Sequence, residues 1–436
     1  MRLYPRRFVP PRALIVALAA LALASPALAA DPRRDDQWGL RMVEGPAAWK
    51  TSTGVGAVVA VIDTGVQRDH PDLGGRLRAG FDYVGDDPEA SGDEDADPTD
   101  GNGHGTHVTG IVAANRDNGE GIAGVAPGAD VLPVRVLDDE GAGYAEDTID
   151  AIHRAIDAHV HVINLSLGDY LPLQSTLFPD EEYKAAIKRA VDADIVVVLA
   201  AGNNGFFKCE NPVVDGMLCV GAVGPDRTRS VFSSFGADVD LMAPGGAGAG
   251  AEEDDILSTW LKGRYEYVSG TSQAAPHVAG VAALLASLGV RGQAAVDRIV
   301  ATASDAGAPG PDNQYGAGIV DAAAAVAGLG PGDPGPAHGS YSLKKKMRVR
   351  AVKKRGFRVK CVAARAGTCR VAAFRRGERI ARGRKDVPAS TATVVRAPLN
   401  RAGRRLVDGL EQRVRVRVRV TLPGESPRAR RVTVRP

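Results

Sequence analysis

The chain has 436 residues, of which 44% are hydrophobic and 24% charged, with a formal net charge of +2. That composition excludes disorder throughout and suits one large domain with a smaller companion. The near-neutral balance hides a division. Residues 340–436 carry 30 Lys and Arg against 5 Asp and Glu, whereas residues 1–339 carry 24 against 47, so two surfaces of opposite sign are expected.

In chain order, Arg2, Arg6, Arg7 and Arg12 precede the apolar run Ala13 to Ala24 and the small-residue stretch Ala27-Leu28-Ala29. This is the order of a secretory signal over residues 1–29, too short to span a bilayer. No later stretch is long and apolar enough to cross a membrane, so a secreted, extracellular, monomeric product is expected. Residues 30–328 alternate short apolar runs (GAVVAVIDTG, ADVLPVRVL, VHVINLSLG, DIVVVLAAGN) with segments of helical spacing (AEDTIDAIHRAIDAH, EEYKAAIKRAVDA). Continuous apolar strands alternating with helices predict an α/β fold, a mostly parallel sheet with helices on both faces. Functional groups in such sheets gather at the carboxyl ends of strands, where Asp63, Ser166 and Asn203 fall. The stretch VSGTSQAAPHVAGVAALLASLG reads as a helix with almost no polar face, and Pro276 in it requires a nearby helix start. Ser272 then sits at the helix N-terminus, where it is either an ordinary N-cap or a group served by the positive end of the dipole.

A Gly/Pro linker follows at 329–340, and residues 341–436 change to strict alternation, clearest in RVRVRVRVTL. KMRVRAV, GFRVKCVA, TCRVAAF and RRVTVR read as shorter strands of the same kind, predicting a small all-β domain, a basic antiparallel sandwich. The four cysteines fall in two local pairs, Cys209 with Cys219 and Cys361 with Cys369, which in an exported chain read as disulfides. The second pair is expected to staple a hairpin.

The segments VIDTGV around Asp63, NGHGTHVTG around His104 and SGTSQAAPHVAG around Ser272 resemble the three signature segments of subtilisin-like serine proteases, in that family's order. The resemblance runs from about Asp31 to Asp321, and it is nearest to the thermitase-like, calcium-requiring branch. Each residue alone has a plainer reading: Asp63 and Asn203 as turn residues, His104 as a loop histidine. Three motifs in one order outweigh those readings. The resemblance implies a serine endopeptidase in which His104 takes the proton of Ser272 as it attacks, Asp63 orients and charges the imidazole, and Asn203 with the Ser272 N–H holds the developing oxyanion. It further implies that substrate lies extended along Ser166, Leu167 and Gly168, with Ala201 and Gly202 as further contacts. His107 and His277 are read as structural. The alternative is a secreted binding protein that kept this scaffold and lost activity, which an intact triad opposes.

The implied cofactor is calcium. The turn ANRDNGEGIAG would supply the Asn118 side chain and the carbonyls of Asn115, Glu120 and Ile122, with Asp31 and Asp72 giving charge. A second candidate is the acidic loop with Asp82, Asp87 and Asp97, which reads equally well as a solvated insertion. Two departures from the family pattern stand out. Gln273 follows the serine where many members carry methionine, so tolerance of peroxide is expected. A long prosegment is also missing between Ala29 and the peptidase region. For the basic residues 341–436 the partner expected is an anionic polymer or the cell wall, with a merely solvated face as the plainer reading.

Overall fold

Each apolar run ending in turn residues becomes a strand of one parallel sheet. The computed structural model describes residues 30–84, 97–167, 180–210, 212–330, 340–344, 346–362, 367–375, 378–388, 392–408, 414–421 and 428–435. Residues 1–29, read above as a signal, most of the expected linker, Asp87 and Gly168 lie outside the described residues. The strands are β1 (Val58–Asp63), β2 (Phe81–Asp82), β3 (Asp130–Arg135), β4 (Val162–Leu165), β5 (Val196–Ala200), β6 (Leu218–Val223) and β7 (Leu241–Pro244), in the sheet order β2-β3-β1-β4-β5-β6-β7. Every pairing in it is parallel.

Because side chains alternate across a strand, β1 sends Val59 and Val61 to one face and Val58, Ala60 and Ile62 to the other. Both faces are covered, as a run without polar alternation requires. After the short helices α1 (Trp38–Met42) and α2 (Gly45–Ala48) come α3 (His104–Ala113), α4 (Ala145–Asp157), α5 (Asp180–Val191), α6 (Thr271–Ser287), α7 (Gly292–Ala301) and α8 (Ala322–Val326). Residues of α3, α6 and α7 share the core of the first face, and residues of α4 and α5 that of the second. Helix α6 is buried nearly all round, which explains its missing polar face. A two-stranded antiparallel ribbon, β8 (Ile256–Trp260) with β9 (Arg264–Val268), leads into it. Among the described residues no helix is long and apolar enough to cross a membrane.

The C-terminal region holds two further sheets. In the first, β12 (Phe357–Val362) lies between β10 (Ser340–Ser342) and β15 (Ala392–Ala397). The second contains β11 (Lys346–Arg348), β13 (Gly367–Arg375), β14 (Glu378–Val387), β16 (Val414–Thr421) and β17 (Arg428–Arg435). Val359 and Val395 from one sheet and Val371, Val416, Val418, Val432 and Val434 from the other share a single core. Three details differ from the sequence reading. KMRVRAV is strand only at Lys346–Arg348 and then turns into the helix α9 (Val349–Arg355), and a second helix, α10 (Arg401–Asp408), follows β15. The short β11 runs parallel to β17, so the sandwich is not wholly antiparallel. Both cysteine pairs are bonded, but Cys361–Cys369 joins β12 to β13, which lie in different sheets, so it ties the sandwich together rather than stapling a hairpin.

Candidate active site

Strand β1 has β3 on one side and β4 on the other, the point where successive crossovers leave in opposite directions and open a crevice at the strand ends. Asp63 is the last residue of β1 and is fully buried. Its Oδ1 accepts from the Thr64 N–H at 2.7 Å and from His104 Nδ1, also at 2.7 Å. A carboxylate can only accept, so Nδ1 carries the hydrogen and Nε2 of the neutral ring is left as an acceptor. Gly105 makes the approach possible, since a Cβ there would lie 2.1 Å from the Gly65 carbonyl oxygen and 3.2 Å from Asp63 Cβ. Burial of the His104 ring opposes its charge, but the Asp63 charge and hydrogen bond, with Asp100 adding to them, outweigh burial and hold its pKa above the ordinary 6.5.

Asp100, which the sequence reading passed over, organises the entry to α3. Its Oδ1 accepts from Thr64 Oγ1 and from the N–H groups of Asn102 and Gly103, and its Oδ2 from the Thr106 N–H and hydroxyl. Thr64 Oγ1 in turn accepts from the Gly105 N–H at 2.9 Å. The available signal was TDGNG, an acid two and three residues ahead of backbone donors in a glycine turn.

Ser272 is the second residue of α6. The N-cap is Gly270, so the plain capping reading of this serine fails. Pro276 has no N–H to offer the Ser272 carbonyl four residues earlier, and the Ser166 hydroxyl donates to that carbonyl instead, at 2.7 Å. Ser166 itself accepts from Asn164 Nδ2 at 2.9 Å. The Ser272 hydroxyl donates to the Ser166 carbonyl at 3.1 Å, so in this structure the two serines are doubly joined. Asn203 lies three residues beyond β5. Its Oδ1 accepts from the Thr271 N–H at 2.9 Å and the Thr271 hydroxyl at 3.0 Å, which leaves the Nδ2 hydrogens as donors beside the start of α6. Thr271 was missed in the sequence because a threonine before a serine resembles any helix start. Leu167 packs partly buried at the edge of the second core, and Ala201 and Gly202 are buried just before Asn203.

The two other motif histidines are structural. His107 Nε2 donates to the carbonyls of Ile256 and Glu266, and burial pushes its pKa down to about 3. Burial likewise takes His277, whose Nδ1 donates to the Gln273 carbonyl, down to about 4. Gln273 is buried beside them, its Nε2 without a hydrogen-bond partner.

Away from the crevice, Asp31 and Asp72 are buried on either side of Asn118. The Asn118 N–H donates to Asp31 Oδ1 at 3.1 Å, and its Nδ2 to Asp72 Oδ1 at 2.9 Å. Asn118 Oδ1 accepts from the Glu120 N–H, and Asp72 Oδ2 accepts from the Ile122 N–H. Asn115 donates its N–H to the Asp72 carbonyl. Burial, with the Asp31 charge adding, raises the Asp72 carboxyl to about 6 against those hydrogen bonds. Among the described residues no three His, Cys, Asp or Glu side chains gather as a metal site. What is present is two buried carboxylates tied to Asn118, oxygens of the kind a hard cation takes, with Asp31 Oδ2 free of hydrogen bonds but 3.6 Å from Arg34 Nη1. The second acidic loop is spoken for where it is described. Asp82 pairs with Arg135 at 2.9 Å and accepts from the Val84 N–H, and Asp97 accepts from the Thr99 hydroxyl.

Asp63 at the end of β1 and Asn203 just beyond β5, with His104 and Ser272 at the starts of α3 and α6, are the groups a serine peptidase would use. Comparison with known proteins agrees. Residues 54–318 match the model of the subtilase family, Peptidase S8. The chain is 44% identical over 255 residues to a thermophilic serine proteinase of Bacillus sp. (strain AK1), an alignment spanning 58% of each chain. It is 41% identical over 254 residues to thermitase of Thermoactinomyces vulgaris, covering 58% of this chain and 83% of that one. Among solved structures, a protease from Pseudoalteromonas arctica PAMC 21717 superposes with a TM-score of 0.62 at 36% identity, covering 69% of this chain and 99% of that one. The chain belongs to the subtilase family and is a serine-type endopeptidase.

Proposed function

We propose that the chain cleaves peptide bonds through an acyl-enzyme formed on Ser272. The observation carrying this reading is the buried Asp63 held to His104 Nδ1 at 2.7 Å, which fixes the tautomer in which Nε2 can accept a proton. In the attack, the Ser272 hydroxyl turns from the Ser166 carbonyl to His104 and gives up its proton as Oγ bonds to the substrate carbonyl carbon. The carbonyl oxygen becomes an oxyanion held by Asn203 Nδ2 and the Ser272 N–H, an N–H of the first helical turn with no intrahelical acceptor. His104 then protonates the leaving amine as the C–N bond breaks. A water attacks the acyl-enzyme by the same route, returning the proton to Ser272. Substrate backbone pairs along Ser166, Leu167 and Gly168 as an added strand, with Ala201 and Gly202 as further contacts.

The test is a double-mutant cycle. Ser272→Ala and His104→Ala each remove nearly all turnover of a peptide substrate, and the pair together loses little more, because the two act as a unit. Additive losses overturn the assignment.

The leader over residues 1–29 and the two disulfides favour secretion. Calcium, bound by Asp31, Asp72, Asn118 and the carbonyls of Asn115, Glu120 and Ile122, would add stability by holding this loop to the chain start. The C-terminal region is read as an adhesive surface for an anionic polymer such as cell wall. Strand register favours it: Arg370 lies opposite Arg384 and Arg358 opposite Arg396, all four exposed. Like charges set directly across strands repel, and a polyanion relieves that repulsion.

A further inference from the structure

Asn203 is followed by a loop that carries an acid to the substrate side of the site. The Cys209–Cys219 disulfide anchors this loop to β6, and the Glu210 N–H donates to the Ala201 carbonyl at 2.8 Å. Glu210 is thereby laid against Gly202. A Cβ on Gly202 would lie 2.1 Å from Glu210 Cδ and 2.3 Å from its Oε1, and Gly202 has a φ of 107°, so only glycine leaves this space to the acid. The carboxylate accepts from the Asn204 N–H at 3.0 Å, from Asn204 Nδ2 at 2.6 Å and from the Ser234 hydroxyl. All three donors are neutral. No cation pairs with Glu210 among the described residues, and three donors leave part of the capacity of a carboxylate unused.

This position relates directly to the reacting bond. If Ser272 attacks the carbonyl carbon while Asn203 holds its oxygen, the residue contributing that carbonyl sits beside both, and its side chain leaves next to the backbone on either side of Asn203. Glu210 touches that backbone on both sides, at Gly202 and at Asn204. An apolar side chain there would cover a carboxylate without neutralising it, whereas an ammonium or guanidinium would complete its hydrogen bonds and its charge.

We propose that Glu210 makes the enzyme select lysine or arginine on the acyl side of the scissile bond. This inference rests on the peptidase reading above. The test measures kcat/KM for peptides differing only at that residue, Lys, Arg, Gln, Leu or Glu, with Ser272 labelling by a fluorophosphonate as a count of competent sites. The wild-type chain cleaves Lys and Arg peptides on the order of 10 to 100 times faster than the Gln or Leu peptide, the span of one charge-assisted contact. Salt narrows that ratio. Glu210→Gln collapses the Lys-to-Leu ratio towards one, whereas a merely structural Glu210 would lower all five substrates together and leave the ratio intact. A wild-type chain that labels and cleaves Leu as readily as Lys overturns the proposal and leaves the peptidase reading standing. A folded chain that neither labels nor cleaves any peptide overturns both.

Discussion

The seven-stranded parallel sheet and the five-stranded C-terminal sheet both rest on valine-rich strands, yet they treat charge in opposite ways. Around the first, Asp63, Asp72 and Asp100 are buried, each accepting from donors of fixed direction. In the second, Val414, Val416, Val418 and Val420 are buried while the register sets arginine opposite arginine, and Arg370, Arg382 and Arg384 are exposed. A buried charge with fixed partners acts on one atom of a substrate. A row of exposed charges acts on a field, in water and under screening. The comparison therefore assigns chemistry to the first region and, as a proposal, adhesion to the second.

The largest effect should come from the directional side. Asn203→Ala removes the donor that Thr271 holds in place, and kcat should fall by about 10²–10³, a magnitude established on subtilisin itself rather than derived from this geometry. Thr271→Val, which takes away only one of the two groups fixing the Asn203 oxygen, should cause a smaller fall. Equal activity of Asn203→Ala and wild type would show that the oxyanion lies elsewhere.

Next comes the calcium loop, measured as stability on the Ser272→Ala chain so that self-digestion does not intrude. A cation bound only by the folded state at 100 to 1,000 times its Kd adds about 3–4 kcal/mol. Excess chelator should lower Tm, and Asp72→Ala should give a chain whose Tm no longer responds to calcium. An unchanged Tm in chelator removes calcium from the account.

The smallest effect on chemistry should come from the diffuse side. Ending the chain before residue 341 should leave kcat/KM on a small peptide within about twofold of wild type, since each proposed catalytic group precedes the linker, while retention on cell wall or heparin at low salt is lost. In the full chain that retention should weaken steeply as salt rises. Retention by none of cell wall, heparin or DNA would leave the surface as a solvated face and break the comparison on that side.

Much of this was legible in the sequence because burial on both faces of a parallel sheet leaves runs such as VVAVID without polar interruption. Asp63, His104 and Ser272 could be proposed from the sequence because their motifs resemble the family's three signature segments in order. What escaped were contacts distant in sequence, including one made by Ser166, which the sequence offered only as a substrate contact. Thr271 reaches back 68 residues to Asn203, and Ser166 reaches forward 106 residues to the carbonyl that Pro276 leaves unpaired. Glu210 escaped because only a folded loop lays it on Gly202. In the C-terminal region, alternation revealed which residues are buried but not which strands pair, so the Cys361–Cys369 bond was placed within one hairpin when it spans two sheets.

The most direct measurement is the rate at which a fluorophosphonate labels Ser272 as a function of pH. Attack needs the neutral His104 ring, and Asp63 raises the pKa of that ring, so the protonated, inactive form persists to higher pH than for a free histidine. Labelling should occur at Ser272 alone and fall away on the acid side with a midpoint above 6.5, and Asp63→Asn should slow it at every pH. A folded chain that is never labelled, or one labelled with an acid midpoint well below 6.5, would contradict the account.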